Sequence, residues 1–391
     1  MKIAFDCSLV PGERGGIGQY SYNLAHGLSS VDKINTYKLY ILFPAASRLL
    51  HPERLKTDLP DSGNFSVVYK TIPVPFQLFH YFWIPGMPSS FREYMLGDLD
   101  VDIIHSNTFS VPRLKNRKKK LVVTIYDLTV VTHPEHHKKT NISHCVTGIK
   151  DAVKYADHII AISNHTKRDL IEHFNAPEEL ITVTHLAAGP DYREEKDPER
   201  LAAIRMKYGL PEDYVLFIGS LEPRKNVKTL IKAYSALDPK TRKEHPLVIA
   251  GGKGWLNSDI PSIVKKSGIS DNVLFAGYIS SEDISGVYSQ AALFVYPSLY
   301  EGFGLPILEA FACGTPVITS NTSSIPEVAG DAAMLISPAD ADQLTAAIER
   351  LLKNKGIRDE FRARGLARAS MFSWEKCARE TLEVYNKVMR A

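Results

Sequence analysis

Two carboxylates, Glu301 and Glu309, flank the turn Gly302-Phe303-Gly304-Leu305 with seven residues between them. The phrase Ser298-Leu-Tyr-Glu301-Gly-Phe-Gly304-Leu-Pro-Ile-Leu-Glu309 reads as a glycine-bearing turn that opens a helix. Ionised carboxylates accept hydrogen bonds from hydroxyls, and the first N–H groups of a helix bind phosphate. Glu301 is therefore placed to hold a sugar hydroxyl, Glu309 a ribose hydroxyl, and the amides of Gly302, Phe303, Gly304 and Leu305 a diphosphate. A sugar nucleotide offers all three. The competing reading is a surface acid before a helix and a second acid within it.

The phrase Phe217-Ile-Gly219-Ser-Leu-Glu-Pro-Arg224-Lys225-Asn226 supplies the opposite charge. An apolar run that reads as a buried strand ends at Gly219, and two adjacent cations follow, suited to a diphosphate at the C-terminal edge of an open α/β sheet. Asn226 is placed to cap a helix carried by Val227, Leu230, Ile231 and Tyr234. A solvated Arg-Lys pair is the alternative. The two motifs lie on separate strand–helix units of one alternating pattern, so in a parallel sheet both loops leave the same edge and can converge.

Apolar runs separated by helical spacers provide the scaffold. Strands are predicted at 3–7, 38–43, 66–72, 102–105, 121–125, 158–163 and 181–185, then at 214–218, 247–250, 273–275, 293–296, 316–319 and 334–336. The first is followed by Pro11-Gly12-Glu-Arg-Gly15-Gly16-Ile-Gly18 and a helix with Tyr20, Leu24 and Leu28 on one face. Such a turn lets backbone approach a ligand, although it lacks the GxGxxG spacing of a dinucleotide site and a flexible loop is the alternative. The polar stretch after Leu186, broken by Gly189, Pro190 and Pro198, marks a linker. The expected organisation is a first domain over 1–190, a second over 191–373 and a closing helix over 374–391, with Trp374, Ala378, Leu382 and Tyr385 on one face.

A length of 391 residues exceeds a comfortable single core, which agrees with two domains. With 44% hydrophobic and 23% charged residues the chain falls outside the disordered class, and a net charge of +3 does not suit a general nucleic-acid binder. Cys7, Cys145, Cys313 and Cys377 show no CxxC spacing, which argues against a structural zinc and a disulfide framework and fits a reducing cytoplasm. The N-terminus has no signal-peptide core, and no apolar run approaches the ~20 residues of a membrane span. The expected location is cytoplasmic, with any membrane contact peripheral, at the inner face.

In their order and spacing along nearly the whole chain, these motifs resemble those of the retaining, nucleotide-sugar-dependent glycosyltransferases of the GT-B fold, family 4 type. The resemblance implies an α/β architecture of two Rossmann-like parallel-sheet domains facing a cleft, the first for acceptor, the second for nucleotide sugar, with the C-terminal helix crossing back to the first. It implies a donor site of Gly15, Gly16, Gly219, Arg224, Lys225, Glu301, the turn 302–305 and Glu309. Val273-Leu-Phe-Ala-Gly277-Tyr278-Ile279 resembles the base-binding strand and loop, and Phe372-Ser-Trp374 the start of the closing helix. The implied reaction breaks the bond from the anomeric carbon to the diphosphate, with Arg224 and Lys225 neutralising the departing phosphate and Glu301 orienting the sugar. Configuration is retained by front-face attack, with no enzymic nucleophile, no metal and no other cofactor.

Many relatives carry a His-Asp pair where this chain has Tyr126-Asp127; a tyrosine offers a hydroxyl but no positive charge near neutral pH. Tyr126, Asp127 and His133 are candidates for acceptor or sugar contacts, with a cap as the alternative for Asp127. A metal reading of His133, His136, His137 and His144 matches none of the usual zinc spacings. The stretch 102–106, together with Tyr126-Asp127-Leu and His133-Pro134-Glu135, looks most like bacterial mannosyltransferases of O-antigen and other surface polysaccharides. That makes GDP-mannose the first donor and UDP-glucose or another UDP-sugar the second, with a glycan or lipid-linked saccharide as acceptor. The aromatic run Pro73 to Pro85 and the basic block Arg113 to Lys120 point weakly to a lipid-linked acceptor and an anionic surface, against buried packing and a solvated loop.

Three rival readings fit the same residues. A carboxylate-pair glycoside hydrolase would use Glu301 and Glu309 but has no use for Arg224-Lys225. A nucleotide-sugar epimerase would turn over without acceptor, and a non-catalytic binder would hold donor without consuming it.

Overall fold

The computed structural model describes residues 1–11, 16–44, 57–72, 96, 99–109, 111–114, 118–252 and 259–390. Gly15, the aromatic run 73–85 and residues 115–117 of the basic block lie outside them. The chain divides into two units, Met1–Leu186 with Ser373–Ala391, and Ala187–Phe372.

Unit 1 holds β1 (Lys2–Asp6), β2 (Thr36–Pro44), β3 (Phe65–Ile72), β4 (Ile103–Ser106), β5 (Lys120–Ile125), β6 (His158–Ala161) and β7 (Ile181–Val183). They form one sheet in the order β3-β2-β1-β4-β5-β6-β7, with parallel pairings. Strands covered on both faces are largely apolar, and β4 and β6 bury every residue, with their polar members His105 and His158 hydrogen-bonded. β6 stops at Ala161, short of the predicted 163, because Ser163 turns out to cap the helix Asn164–Phe174, its Oγ accepting from the Thr166 N–H. The helix Trp374–Arg390 packs along the helix Gly16–Val31, and Gly27 permits the approach, since a Cβ there would stand 2.7 Å from the Trp374 carbonyl oxygen. A buried polar chain locks it to the sheet: Tyr20 hydroxyl to Thr124 Oγ1 (3.0 Å), Thr124 Oγ1 to His105 Nε2 (2.7 Å), and His105 Nδ1 to Tyr385 hydroxyl (2.6 Å). Burial pushes His105 down to about 3, so the ring is neutral and can donate at one nitrogen while accepting at the other.

Unit 2 holds β8 (Val215–Ile218), β9 (Leu247–Ala250), β10 (Val273–Gly277), β11 (Leu293–Tyr296), β12 (Val317–Ser320) and β13 (Ala333–Ile336), in the order β10-β9-β8-β11-β12-β13, again parallel. The chain works outward from β8 to β10, then returns to lay β11 against β8 and continues to β13. The backbones after β8 and β9 touch at two glycines: Gly251 has φ +127, and a Cβ on it would lie 2.1 Å from the Gly219 carbonyl oxygen. Gly251→Ala is therefore expected to destabilise the protein by on the order of 2 kcal/mol or more, read as a lowered urea midpoint. No helix among the described residues is long and apolar enough to cross a membrane.

Candidate functional site

β8 and β11 are neighbours at the point where the strand order reverses, the place where open α/β sheets hold ligands. The two loops predicted to converge do so. The Leu299 N–H donates to the Arg224 carbonyl oxygen at 2.8 Å, and the Ser298 hydroxyl oxygen lies 3.0 Å from the same atom. Asn226, left-handed at φ 58, stands at the N-cap position of the helix Val227–Ser235 but does not cap it with its side chain. Its amide instead donates to the carbonyls of Pro297 (3.0 Å) and Pro338 (2.7 Å), and its Oδ1 accepts from the Thr229 hydroxyl (2.7 Å). The side chain is taken up by buried loop carbonyls that would otherwise lack a donor.

Glu301 is the centre of the site. Its Oε1 accepts from Lys225 Nζ (2.7 Å), the Tyr296 hydroxyl (2.8 Å) and the Ser298 hydroxyl (2.5 Å), and its Oε2 from Arg224 Nη1 (2.6 Å). Lys225 also donates to the Tyr296 hydroxyl. Arg224 is held further by the Tyr300 carbonyl (3.1 Å) and by Glu222 (3.5 Å), itself fixed by the Ser220 hydroxyl. Burial alone would raise the Glu301 carboxyl, but Arg224, Lys225 and its hydrogen bonds outweigh that and hold it at about 2. Burial first, and Arg224 second, lower the Lys225 ammonium. Oε1 has three donors, whereas Oε2 has Arg224 alone among the described residues and so has a lone pair unused by them. Among the described residues, Arg224 and Lys225 are thus each paired with a carboxylate, Arg224 with Glu222 and Glu301 and Lys225 with Glu301.

The turn after Glu301 is pinned. Ser323, left-handed at φ 54, accepts the Glu301 N–H (3.0 Å), and the Ser324 hydroxyl shares its one proton between the carbonyls of Glu301 (2.8 Å) and Phe303 (2.9 Å). Gly302 and Phe303 are buried, Phe303 against Phe372, and Gly304 takes φ +108, which a side chain rarely adopts, immediately before the helix Leu305–Ala312. Glu309 projects from that helix and is partly buried. The Tyr288 hydroxyl donates to its Oε2 at 3.3 Å, and the Tyr192 ring stands edge-on to that of Tyr288. Burial pushes Glu309 up to about 7 in spite of the Tyr288 hydroxyl.

Gly219, Arg224, Lys225, Glu301, the turn 302–305 and Glu309 are therefore gathered at one sheet edge of unit 2. Tyr278, 66% exposed, follows the end of β10, with β9 standing between β10 and β8. Gly16 opens a helix of unit 1. Tyr126, also in unit 1, is buried and donates to the Asn107 carbonyl (3.2 Å), so its hydroxyl is engaged inside the fold. Asp127 makes a local turn contact, its Oδ1 accepting from the Thr129 N–H (2.9 Å) and hydroxyl (2.6 Å). His133 stacks on His136 and bonds the Thr132 hydroxyl at 3.1 Å. Of the basic block, Arg113 pairs with Asp151 and Lys120 with Asp157. Sequence reasoning missed Glu222, Tyr296 and Tyr288. The one available clue was Tyr296, a hydroxyl-bearing residue ending an otherwise apolar strand two positions before Ser298.

Residues 14–188 match the model of Glycosyltransferase Family 4 and residues 203–368 that of Glycosyl transferases group 1. O-antigen chain mannosyltransferase B of Escherichia coli is 33% identical to the chain, covering 98% of it and 99% of the relative. Among solved structures, a sucrose-phosphate synthase from Thermosynechococcus elongatus matches with a TM-score of 0.76 at 22% identity, covering 100% of this chain and 99% of that one. Anabaena Alr3699/HepE, solved with UDP-glucose, matches at 0.74 and 18% identity over 99% of this chain and 100% of its own. Two parallel sheets with paired cations and a buried glutamate at the switch point of the second, and a relative alike from end to end, place this chain among the GT-B glycosyltransferases of the group 1 and family 4 type, as a hexosyltransferase.

Proposed function

We propose that the protein transfers a mannosyl group from GDP-mannose to a glycan or lipid-linked saccharide, with retention of configuration and without a metal. The observation that carries this reading is the Glu301 cluster, which holds Arg224 and Lys225 in fixed positions beside a pinned helix start. As the anomeric C–O bond to the diphosphate breaks, negative charge grows on the departing oxygen. Arg224 and Lys225 face that charge without having to reorganise. The acceptor oxygen forms the new bond on the same face and its proton passes to the leaving diphosphate. Oε2 of Glu301 receives a sugar hydroxyl and Glu309 a ribose hydroxyl. The choice of mannose follows the full-length resemblance to the O-antigen mannosyltransferase.

The test is calorimetric titration with GDP-mannose and UDP-glucose in the presence of chelator, followed by an acceptor screen with whichever binds. Binding of UDP-glucose alone would replace the donor; binding of neither would turn the reading toward a hydrolase. Glu309 adds a second check. A carboxyl at about 7 receives ribose hydroxyls well only when ionised, so donor affinity is expected to fall as pH drops through that value. Glu309→Gln is expected to weaken donor binding roughly tenfold or more and to abolish the pH dependence. Because a raised carboxyl pKa costs stability above the unfolded value of 4.5, the variant's thermal midpoint at about pH 8 should be unchanged or higher. A collapse of folding would make Glu309 structural.

A further inference from the structure

Tyr296 ends β11 beside the paired cations and is wholly buried. Its ring stacks with that of Phe217 on β8, with centroids 6.1 Å apart and planes at 23°, and with that of Phe294 on its own strand, at 5.6 Å and 20°. The Thr319 hydroxyl of β12 donates to the Tyr296 carbonyl oxygen at 2.7 Å, so ring and backbone are both held. The phenol therefore has a fixed place. It accepts from Lys225 Nζ and donates to Glu301 Oε1 at 2.8 Å, while Lys225 Nζ donates to the same Oε1 at 2.7 Å. Ammonium, phenol and carboxylate close a triangle of hydrogen bonds.

We propose that Tyr296 is a positioning residue for the transfer reaction: its hydroxyl fixes the Lys225 ammonium so that the remaining N–H points at the departing phosphate oxygen. The inference rests on the reading of Lys225 as a leaving-group cation. A lysine head sits on a flexible stem, and a single hydrogen bond lets it swing about that contact. Glu301 supplies one anchor from the loop after β11, and Tyr296 supplies the second from the strand itself. With both in place, the position of Nζ and the direction of its third N–H are set before the diphosphate gains charge.

A phenol suits the task because it accepts and donates at one oxygen. Burial first, and the Glu301 charge second, keep it protonated far above neutral pH, so it gives its proton to Glu301 and a lone pair to Lys225 without adding charge. A second carboxylate at the same place would hold the ammonium more strongly and release it less readily to phosphate. Ser298, the other hydroxyl on Oε1, stands by the Arg224 carbonyl oxygen and not by Lys225 Nζ.

The experiment measures affinities for GDP and GDP-mannose, with UDP and UDP-glucose in parallel, by calorimetric titration with chelator at about pH 8, where the terminal phosphate of GDP is fully ionised. GDP is the departing group itself, and that phosphate carries more negative charge than its esterified counterpart in GDP-mannose. The proteins are the wild type, Tyr296→Phe, Lys225→Met and the double variant. Tyr296→Phe keeps the stacked ring, removes the hydroxyl and changes no charge. It should weaken GDP roughly fivefold or more, with GDP-mannose within about twofold of wild type and a similar thermal midpoint. In the Lys225→Met background the same substitution should cost GDP nothing further, because the hydroxyl acts through the ammonium. Equal weakening of GDP and GDP-mannose, an equal loss in both backgrounds, an unchanged GDP affinity or a collapsed thermal midpoint would each overturn the proposal. Lost discrimination between GDP and GDP-mannose in Lys225→Met beside an unmoved Tyr296→Phe would remove Tyr296 alone. Wild-type discrimination in Lys225→Met, or binding of neither nucleotide series to the wild type, would overturn the leaving-group reading of Lys225 as well.

Discussion

Alanine at Arg224 or at Lys225 is expected to lower turnover by roughly 10²- to 10³-fold, about 2.7 to 4 kcal/mol of barrier, while donor affinity falls far less. The asymmetry follows from the electrostatics. In the ground state each cation already has a carboxylate partner, Arg224 in Glu222 and Glu301 and Lys225 in Glu301, so the gain from meeting an intact diphosphate is modest. In the transition state the diphosphate carries additional charge on the departing oxygen, and the gain there is larger because both cations are held before the reaction begins. Lys225 donates to Glu301 and to the Tyr296 hydroxyl, which leaves the third N–H of its ammonium for the phosphate contact proposed above. Arg224→Lys should not rescue, since a lysine cannot reproduce the fork that meets Glu301 and the Tyr300 carbonyl from one nitrogen and Glu222 from another. Single-turnover rates and donor titrations on both variants, with thermal midpoints as a fold control, decide the matter. Unchanged turnover in both would remove the leaving-group role.

The position of this site was legible because each part of it carries a local mark. Strands of a covered parallel sheet are largely apolar, so the thirteen strands among the described residues stood out as runs, with β9 and β11 matching their predicted bounds residue for residue. Gly304 was legible because the backbone there needs a positive φ. What joins the parts was not. Tyr296 and Tyr288 look like any other aromatic residues in a strand and a helix, and only the fold brings their hydroxyls to Glu301 and Glu309. Asn226 shows the same gap from the other side. Its residue type suited an N-cap, but two carbonyls over 70 residues away in sequence, at Pro297 and Pro338, claimed the amide. Asp127 was legible as a ligand candidate and as a turn former, and its Oδ1 accepts from the near neighbour Thr129.

Glu301 is where the second large effect is expected, on the fold as well as on the rate. Glu301→Ala leaves Arg224 and Lys225 side by side with their shared counter-ion gone, and removing one member of a buried ion pair costs on the order of 3 to 5 kcal/mol. The lower end is expected, because the Arg224 side chain retains 18% of its exposure and can turn toward water, whereas Lys225 at 10% has less room. The pH dependence separates this from a simple packing defect. Glu301 is held at about 2 against an unfolded value of 4.5, so its contribution is complete above the unfolded value and is lost as pH falls from there toward 2. Such a shift corresponds to on the order of 3 kcal/mol, in line with the cost of breaking the pair. Urea unfolding of wild type and Glu301→Ala at about pH 7 and at about pH 3 should therefore show a gap that narrows in acid; a gap independent of pH would mean the carboxylate's charge does not hold the cluster together. The same carboxylate permits two adjacent cations to sit nearly dry before any donor arrives. Activity and stability should thus fail together in Glu301→Ala but separately in the cation variants, since those remove the charge that meets phosphate while Glu301 keeps one cation and the hydroxyls of Tyr296 and Ser298.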